Sequence, residues 1–215
     1  MNLENIWLQW SNRQLNYVID IIKNSDAESI CEIGSFVGSV ARPLWNGIKD
    51  TDKKLYLVDN YHFLPENARE SFFKFVKKSI GDSEWIHTIL EDSHKYNWSE
   101  HDFIIFSHGS YEHMLPDFNI LLQSNVKYAI IDITPTCFER FNLLLHSVVT
   151  KESNLKLQYY IDGIFVLGRE KLNCTLPTKK ELFFHEPIQY VEKESGSYIK
   201  AINNIKTKLG VKEWI

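Results

Sequence analysis

Residues 30–48 read ICEIGSFVGSVARPLWNGI. Ser29 to Gly34 is a short apolar run with one acid in it, Glu32, and it reads as a buried strand. The stretch from 37 to 48 then takes up helical spacing, so a strand passes through a glycine loop into a helix. Gly34 and Gly38 let the backbone run close to a ligand, and the free N–H groups at the start of the helix favour an anionic or polar group. The spacing is GxxxG. It is not the GxGxxG of a dinucleotide fold, and no Lys-Ser/Thr follows the second glycine as a P-loop requires. Two glycines after a strand suit a packing turn as well as a ligand loop. Glu32 weighs toward a site, because a carboxylate in an apolar strand is costly to bury without a partner.

The same grammar repeats on either side. Residues 3–22 place Leu3, Ile6, Trp7, Trp10, Tyr17, Val18, Ile21 and Ile22 on one face of an amphipathic helix. KLYLVDN (54–60) is a strand ending at Asp59, and residues 65–80 form a helix with Phe72, Phe73, Phe75, Val76 and Ile80 on its apolar face. WIHTILEDS (85–93) is a third strand, with Glu91 and Asp92 at its end. HDFIIFSHG (101–109) is a fourth, followed by a helix over 111–123 in which Pro116 falls in the first turn or marks a kink. KYAIIDITP (127–135) is a fifth strand, and residues 136–149 suit another helix. Strands alternating with helices imply right-handed parallel crossovers. The fold class is therefore α/β: a doubly wound, mostly parallel, Rossmann-like sheet with helices on both faces. LKLQYYIDGIFVLGRE (155–170) reads as two strands joined tightly at Asp162-Gly163, so an antiparallel pair ends the sheet. Residues 1–172 form this domain. Residues 173–215 form an extension with a short helix, packing on the domain or serving as a lid or subunit contact.

The chain has 215 residues, 44% hydrophobic and 24% charged, the balance of a globular protein with a substantial core. A formal net charge of -4 gives no global positive field for a phosphate backbone, so no nucleic-acid partner is expected. Lys200, Lys206 and Lys208 fit a solvated helix face better than a basic patch. Cys31, Cys137 and Cys174 are odd in number and lack metal-ligand spacing, which suits a reduced compartment. The first residues lack a signal-peptide pattern and no run is long enough to span a membrane, so a cytoplasmic protein without a membrane partner is expected.

The loop, Asp59 and Asp92 come in order at the ends of three successive strands. In this the chain resembles the class I S-adenosylmethionine-dependent methyltransferases over Ser29 to Glu170. ICEIGSFVGSVARPL is similar to the EIGxxxGxS form of small-molecule O-methyltransferases, nearest the macrocin-like branch. The resemblance implies S-adenosyl-L-methionine as cofactor. It would be held by Glu32, Gly34, Ser35, Phe36, Gly38 and Ser39 in the first loop. Asp59 with Asn60 would meet the ribose, Asp92 and Ser93 the adenine, and Ser107 would stand at the end of the fourth strand. A carboxylate such as Asp59 accepts from both hydroxyls of a diol. Phe36 and Tyr61 are packing groups beside the cofactor, or ordinary core and rim.

FSHGSYEHMLPD resembles the family segment DGDxYExxxxD. Aligned on Tyr111-Glu112, Ser107 and Gly109 stand where metal-dependent relatives carry two aspartates. IIDITP keeps Asp132 but has Ile133 where a second ligand could be. A hard cation needs several oxygen ligands, so the set for a divalent metal is incomplete. His108 replaces the aspartates as candidate catalytic base, with Asp132 near the acceptor. A structural role for His108 or His113 is equally open, and His94, His101, His146 and His185 read as structural.

The function expected is methyl transfer from S-adenosylmethionine to a small-molecule acceptor, at a hydroxyl, by direct in-line displacement. Trp7, Trp10, Tyr159 and Tyr160 would line the acceptor pocket, or serve the core or the contact between subunits of a homo-oligomer. Two alternatives stay open. The domain binds S-adenosylmethionine or a nucleoside without transferring methyl, or it is a nucleotide-dependent oxidoreductase, against which the missing GxGxxG counts.

Overall fold

The computed structural model describes residues 10, 12–36, 38–62, 64–107, 111–132, 154–161 and 164–172. The segments expected as helices at 136–149 and beyond 173 lie outside these, as does the part of the N-terminal helix before Trp10.

Seven strands form one sheet: β1 (Ser29–Ile33), β2 (Lys54–Asp59), β3 (Ile86–Leu90), β4 (Phe103–Phe106), β5 (Tyr128–Asp132), β6 (Lys156–Ile161) and β7 (Ile164–Gly168), in spatial order β3-β2-β1-β4-β5-β7-β6. β1 to β5 are parallel neighbours. β7 runs antiparallel to both β5 and β6. Ile161 pairs with Ile164, which fixes a two-residue connection at Asp162-Gly163. The expected antiparallel pair is present, with the later strand inserted beside β5 and the earlier one at the edge.

Period-two alternation supplies both cores. Ile30, Leu55, Leu57, Phe103, Ile105, Tyr128, Ile130, Ile164 and Val166 face one cluster, which α1 (Asn12–Asn24), α2 (Ala41–Ile48) and α3 (Glu66–Ile80) cover. Cys31, Ile33, Val58, Ile104, Phe106, Ala129, Ile131, Phe165 and Leu167 face the other, which Phe118 and Leu121 of α4 (Tyr111–Gln123) and Trp98 cover. A strand buried on both faces reads as a continuous apolar run, the signature expected of a covered parallel sheet.

Details of the helices differ from expectation. α2 begins at Ala41, because Gly38 takes φ 79° and the chain turns before it can wind. On α3, Phe73, Val76 and Ile80 are buried, but Phe75 is 41% exposed, on the flank of the helix away from the sheet. Pro116 lies inside α4, past its first turn, where its ring removes the amide that would bond to residue 112. Among the described residues no helix is long and apolar enough to cross a membrane.

At the amino-terminal edge of the strands, His101 is buried and its two ring nitrogens lie 2.6 Å from Ser29 Oγ and 2.6 Å from Tyr96 Oη. A neutral imidazole has one donor and one acceptor nitrogen, and the two hydroxyls supply the complements. Burial pushes its pKa down to about 4, with Glu100 and Asp102 opposing and His87 assisting. The unfolded chain therefore binds a proton at this residue that the folded one does not, so its contribution is complete above about pH 6.5 and is lost as pH falls toward 4. Denaturant titrations should show this group withdrawing ~1–3 kcal/mol of stability between neutral and acid pH. In His101→Asn that part of the slope should vanish, and an unchanged slope would contradict the assignment.

Candidate cofactor site

β1 and β4 are adjacent although β2 and β3 intervene in sequence, so the strand order reverses between them. In an open parallel sheet this is where ligands bind, beyond the carboxyl ends of the strands. Three strand ends meet here, Gly34 after β1, Asp59 ending β2 and Ser107 after β4, and Asp92 follows β3 at the edge of the sheet.

The loop after β1 is held in a conformation few residues adopt. Gly34 (φ 80°) and Gly38 (φ 79°) take left-handed backbone at little cost, but Phe36 (φ 45°) and Tyr61 (φ 46°) are not glycines. Such residues cost about 1–3 kcal/mol each unless their surroundings over-determine them. Asp59 supplies the constraint for both. Its Oδ2 accepts the Phe36 N–H at 2.8 Å and its Oδ1 accepts the Tyr61 N–H at 2.7 Å. The Tyr61 hydroxyl returns to the first loop, donating to the Phe36 carbonyl at 2.7 Å, with Ser35 Oγ 3.5 Å away. Gly34 N–H bonds Val58 O at 2.9 Å, and Gly38 N–H closes on Ser35 O at 2.7 Å. The loop then enters α2, whose first turn has no side-chain cap.

Gly38 also answers a packing demand. A Cβ there would lie 3.1 Å from Ile80 on α3, in addition to the strained φ. Tyr61 is fully buried, with its ring edge-on to Phe72 and Phe73, and so belongs to the core. Phe36 is 48% exposed and forms the rim of the loop.

Glu32 is buried. Ser107 Oγ donates to its Oε1 at 2.6 Å and lies 3.0 Å from the Gly34 carbonyl. Burial raises the Glu32 pKa to about 8, the Ser107 hydrogen bond opposing and Asp59 adding to the rise. The Glu32 Oε2 atom is buried, with no hydrogen-bond partner among the described residues.

Asn60 Oδ1 accepts the His62 N–H at 3.1 Å, so two successive side chains, Asp59 and Asn60, cap turns two residues on. Asp92 does the same for the His94 N–H at 3.0 Å. The His94 ring lies between Asp92 (3.5 Å) and Asp117 on α4 (3.4 Å), and Trp98 donates to the Ser93 carbonyl at 2.9 Å. Ser39 is half-buried in the turn before α2.

The structure thus joins Glu32 to Ser107, Phe36 directly to Asp59, and Ser35 to Asp59 through Tyr61. Asp92 and Ser93 form a separate group at the end of β3. His108, His146 and His185 lie outside the described residues, and Asp132 is described only by its backbone position, the last of β5. Among the described residues no group of three or more His, Cys, Asp or Glu side chains is placed to hold a metal ion. Two links are invisible to motif reading: Asp59 as clamp of two loops, and Tyr61 as their tie. The dipeptide Asp59-Asn60 is a turn signal that could have pointed to the first.

No protein-family model and no curated protein matches the chain. Solved structures share its fold. The SAH-bound Podospora anserina methyltransferase PaMTH1 has a TM-score of 0.55 at 14% identity over 76% of this chain and 81% of that one. M. capricolum TrmK, in complex with its natural cofactor product S-adenosylhomocysteine, gives 0.53 at 16% over 92% and 95%. The O-methyltransferase NovP gives 0.53 at 13% over 74% and 80%.

Replacing Tyr61 by Phe removes the hydroxyl that bonds the Phe36 carbonyl and keeps the ring. It should cost ~1 kcal/mol in denaturant unfolding and speed amide exchange in the loop around Phe36. Unaltered exchange there would show that the hydroxyl does not hold the loop.

Proposed function

We propose that this chain is an S-adenosylmethionine-dependent methyltransferase acting on a small-molecule acceptor at a hydroxyl. The observation that carries the reading is the pairing of the Gly34–Gly38 loop with Asp59 at the ends of adjacent parallel strands, beside the switch point. This constellation offers a ribose-binding carboxylate and close backbone approach without a phosphate-binding lysine or a GxGxxG turn.

The residues present fit such a cofactor. A carboxylate has about four acceptor sites, so Asp59 can hold the two loop amides and a diol together. Among the described residues no group hydrogen-bonds the buried Glu32 Oε2, which leaves that oxygen for a cationic amino acid moiety. Asp92 and Ser93 stand at the end of β3, where the adenine would lie. When bound, the cofactor supplies a methyl group already activated on a sulfonium, so the protein needs mainly to bind, orient and exclude water. His108 is the proposed base toward the acceptor hydroxyl, with Asp132 beside it. The acceptor is proposed to be small because a net charge of -4 gives no field for nucleic acid.

One observation favours a second reading, a binding module without transfer. Ser107, standing where an aspartate would serve the acceptor, turns its hydroxyl to Glu32 and Gly34.

Calorimetric titration should show binding of S-adenosylmethionine and S-adenosylhomocysteine but not NAD. Asp59→Ala should weaken that binding tenfold or more, about 1.4 kcal/mol. No binding of the two adenosyl ligands would overturn the reading, and undiminished affinity in the variant would remove the ribose assignment. Release of S-adenosylhomocysteine with a panel of hydroxyl acceptors, with and without Mg²⁺, separates the enzyme from the module.

A further inference from the structure

Three of the connections between parallel strands carry an α-helix: α2 between β1 and β2, α3 between β2 and β3, and α4 between β4 and β5. The connection from β3 to β4, residues 91–102, instead has a single 3₁₀ turn at Trp98–Glu100. A segment without a helical ladder of backbone bonds depends on side chains to hold its shape. Asp92 and Ser93 stand first in it, so whatever anchors this segment also sets how well that side of the cleft is formed.

Two ties anchor it. Trp98, buried edge-on to Phe106, donates to the Ser93 carbonyl at 2.9 Å. His94 supplies the other. Its backbone N–H donates to Asp92 Oδ1 at 3.0 Å, and its ring Nδ1 lies 3.5 Å from the same oxygen. Its Nε2 lies 3.4 Å from Oδ1 of Asp117 on α4, an ion-pair contact rather than an aligned hydrogen bond. A ring with a carboxylate at each nitrogen suits the imidazolium, which carries an N–H on both.

Asp117 is the less expected partner. It is fully buried, beside Phe118 and one turn before Leu121, both of which pack into the core beneath α4. An apolar side chain at 117 would continue that face, and a carboxylate set there is costly unless charge and hydrogen bonding compensate it. The His94 side chain is 36% exposed and belongs to a different element, so the pair joins a surface loop to the buried side of a helix.

We propose that His94 is a positioning residue that anchors the loop after β3 to α4, so that a nucleoside bound at Asp92 and Ser93 and the packing of α4 stabilise each other. The inference rests on the adenosyl-cofactor reading given above, which sets the nucleoside against this loop. No bond forms or breaks. With His94 seated on Asp117, the Asp92 carboxylate and the Ser93 backbone are ordered before the ligand arrives, and binding does not have to order them. Coupling of this kind is reciprocal, so the stabilisation that the ligand draws from the anchored loop is returned to α4. Because α4 follows β4, occupancy at the end of β3 is felt across the switch point, on the side where the acceptor is proposed to bind.

The test is amide exchange of the whole chain at about pH 6, where imidazoles are largely charged, with and without saturating S-adenosylhomocysteine. In the wild type the ligand should slow exchange over residues 92–96 and also over 117–123 of α4. In His94→Ala the slowing in α4 should vanish while that around Phe36 remains, and calorimetric affinity should fall about fivefold or more. Asp117→Asn, which keeps the shape and removes the charge, should act in the same way. The double variant should bind no more weakly than either single one, because all three break one link. A histidine that served only the stability of the fold would lower the unfolding midpoint when removed and leave the ligand-induced slowing of α4 in place. Should Asp117→Asn not fold, the partly exposed His94 still permits the decisive comparison. Binding of S-adenosylhomocysteine that leaves α4 unchanged in the wild type, or slows it equally in His94→Ala, overturns this inference and leaves the adenosyl reading intact. No binding overturns both.

Discussion

The Asp59 carboxylate accepts backbone N–H groups from two loops, at Phe36 and at Tyr61, and each of those residues sits in left-handed backbone that it would not choose alone. Removing the carboxylate would leave two strained turns without the bonds that hold them, and two backbone donors without acceptors. The loop between β1 and α2 has its shape because β2 ends in an aspartate. A residue expected to meet a ligand is therefore also part of the scaffold that shapes the ligand site, and pre-organised sites are built in this way.

The surrounding fold sets this clamp at a useful place. Parallel pairing of β1 with β2 brings Val58 and Asp59 level with Ile33 and Gly34, so the two loops leave the sheet side by side. Pairing of β1 with β4 brings Ser107 level with the glycine turn on the other side. Glu32 is thereby enclosed between two strands and beneath the loop, which accounts for its burial and its raised pKa together. The aliphatic alternation of the strands keeps both faces of the sheet covered, so this polar group is set in a dry environment where each charge and hydrogen bond weighs more than in water.

Much of the fold was legible because its signals are local and repeated. Short apolar runs bounded by turn residues marked the strands, and helical spacing between them marked the crossovers, as at Lys54–Asp59 followed by Glu66–Ile80. The Asp162-Gly163 signal gave the hairpin, while the insertion of β7 between β5 and β6 depends on pairing between distant segments, which local patterns do not encode. At the site, residue types at strand ends pointed to Glu32, Gly34, Asp59 and Asp92 one at a time. Their bonds to one another could not be read, because Glu32 to Ser107 spans 75 positions and Asp59 to Phe36 spans 23. Ser107 shows the difference best: in sequence it stands as a missing aspartate, whereas in the structure it is the donor to Glu32.

The central claim is that one adenosyl ligand spans the ends of β1, β2 and β3, and a crystal structure of the complex with S-adenosylhomocysteine tests it most directly. The account predicts ribose hydroxyls on the Asp59 carboxylate, the adenine beside Asp92 and Ser93, and the amino group within hydrogen-bonding distance of Glu32. A ligand bound elsewhere, or lying in this cleft with its ribose turned away from Asp59, would contradict it.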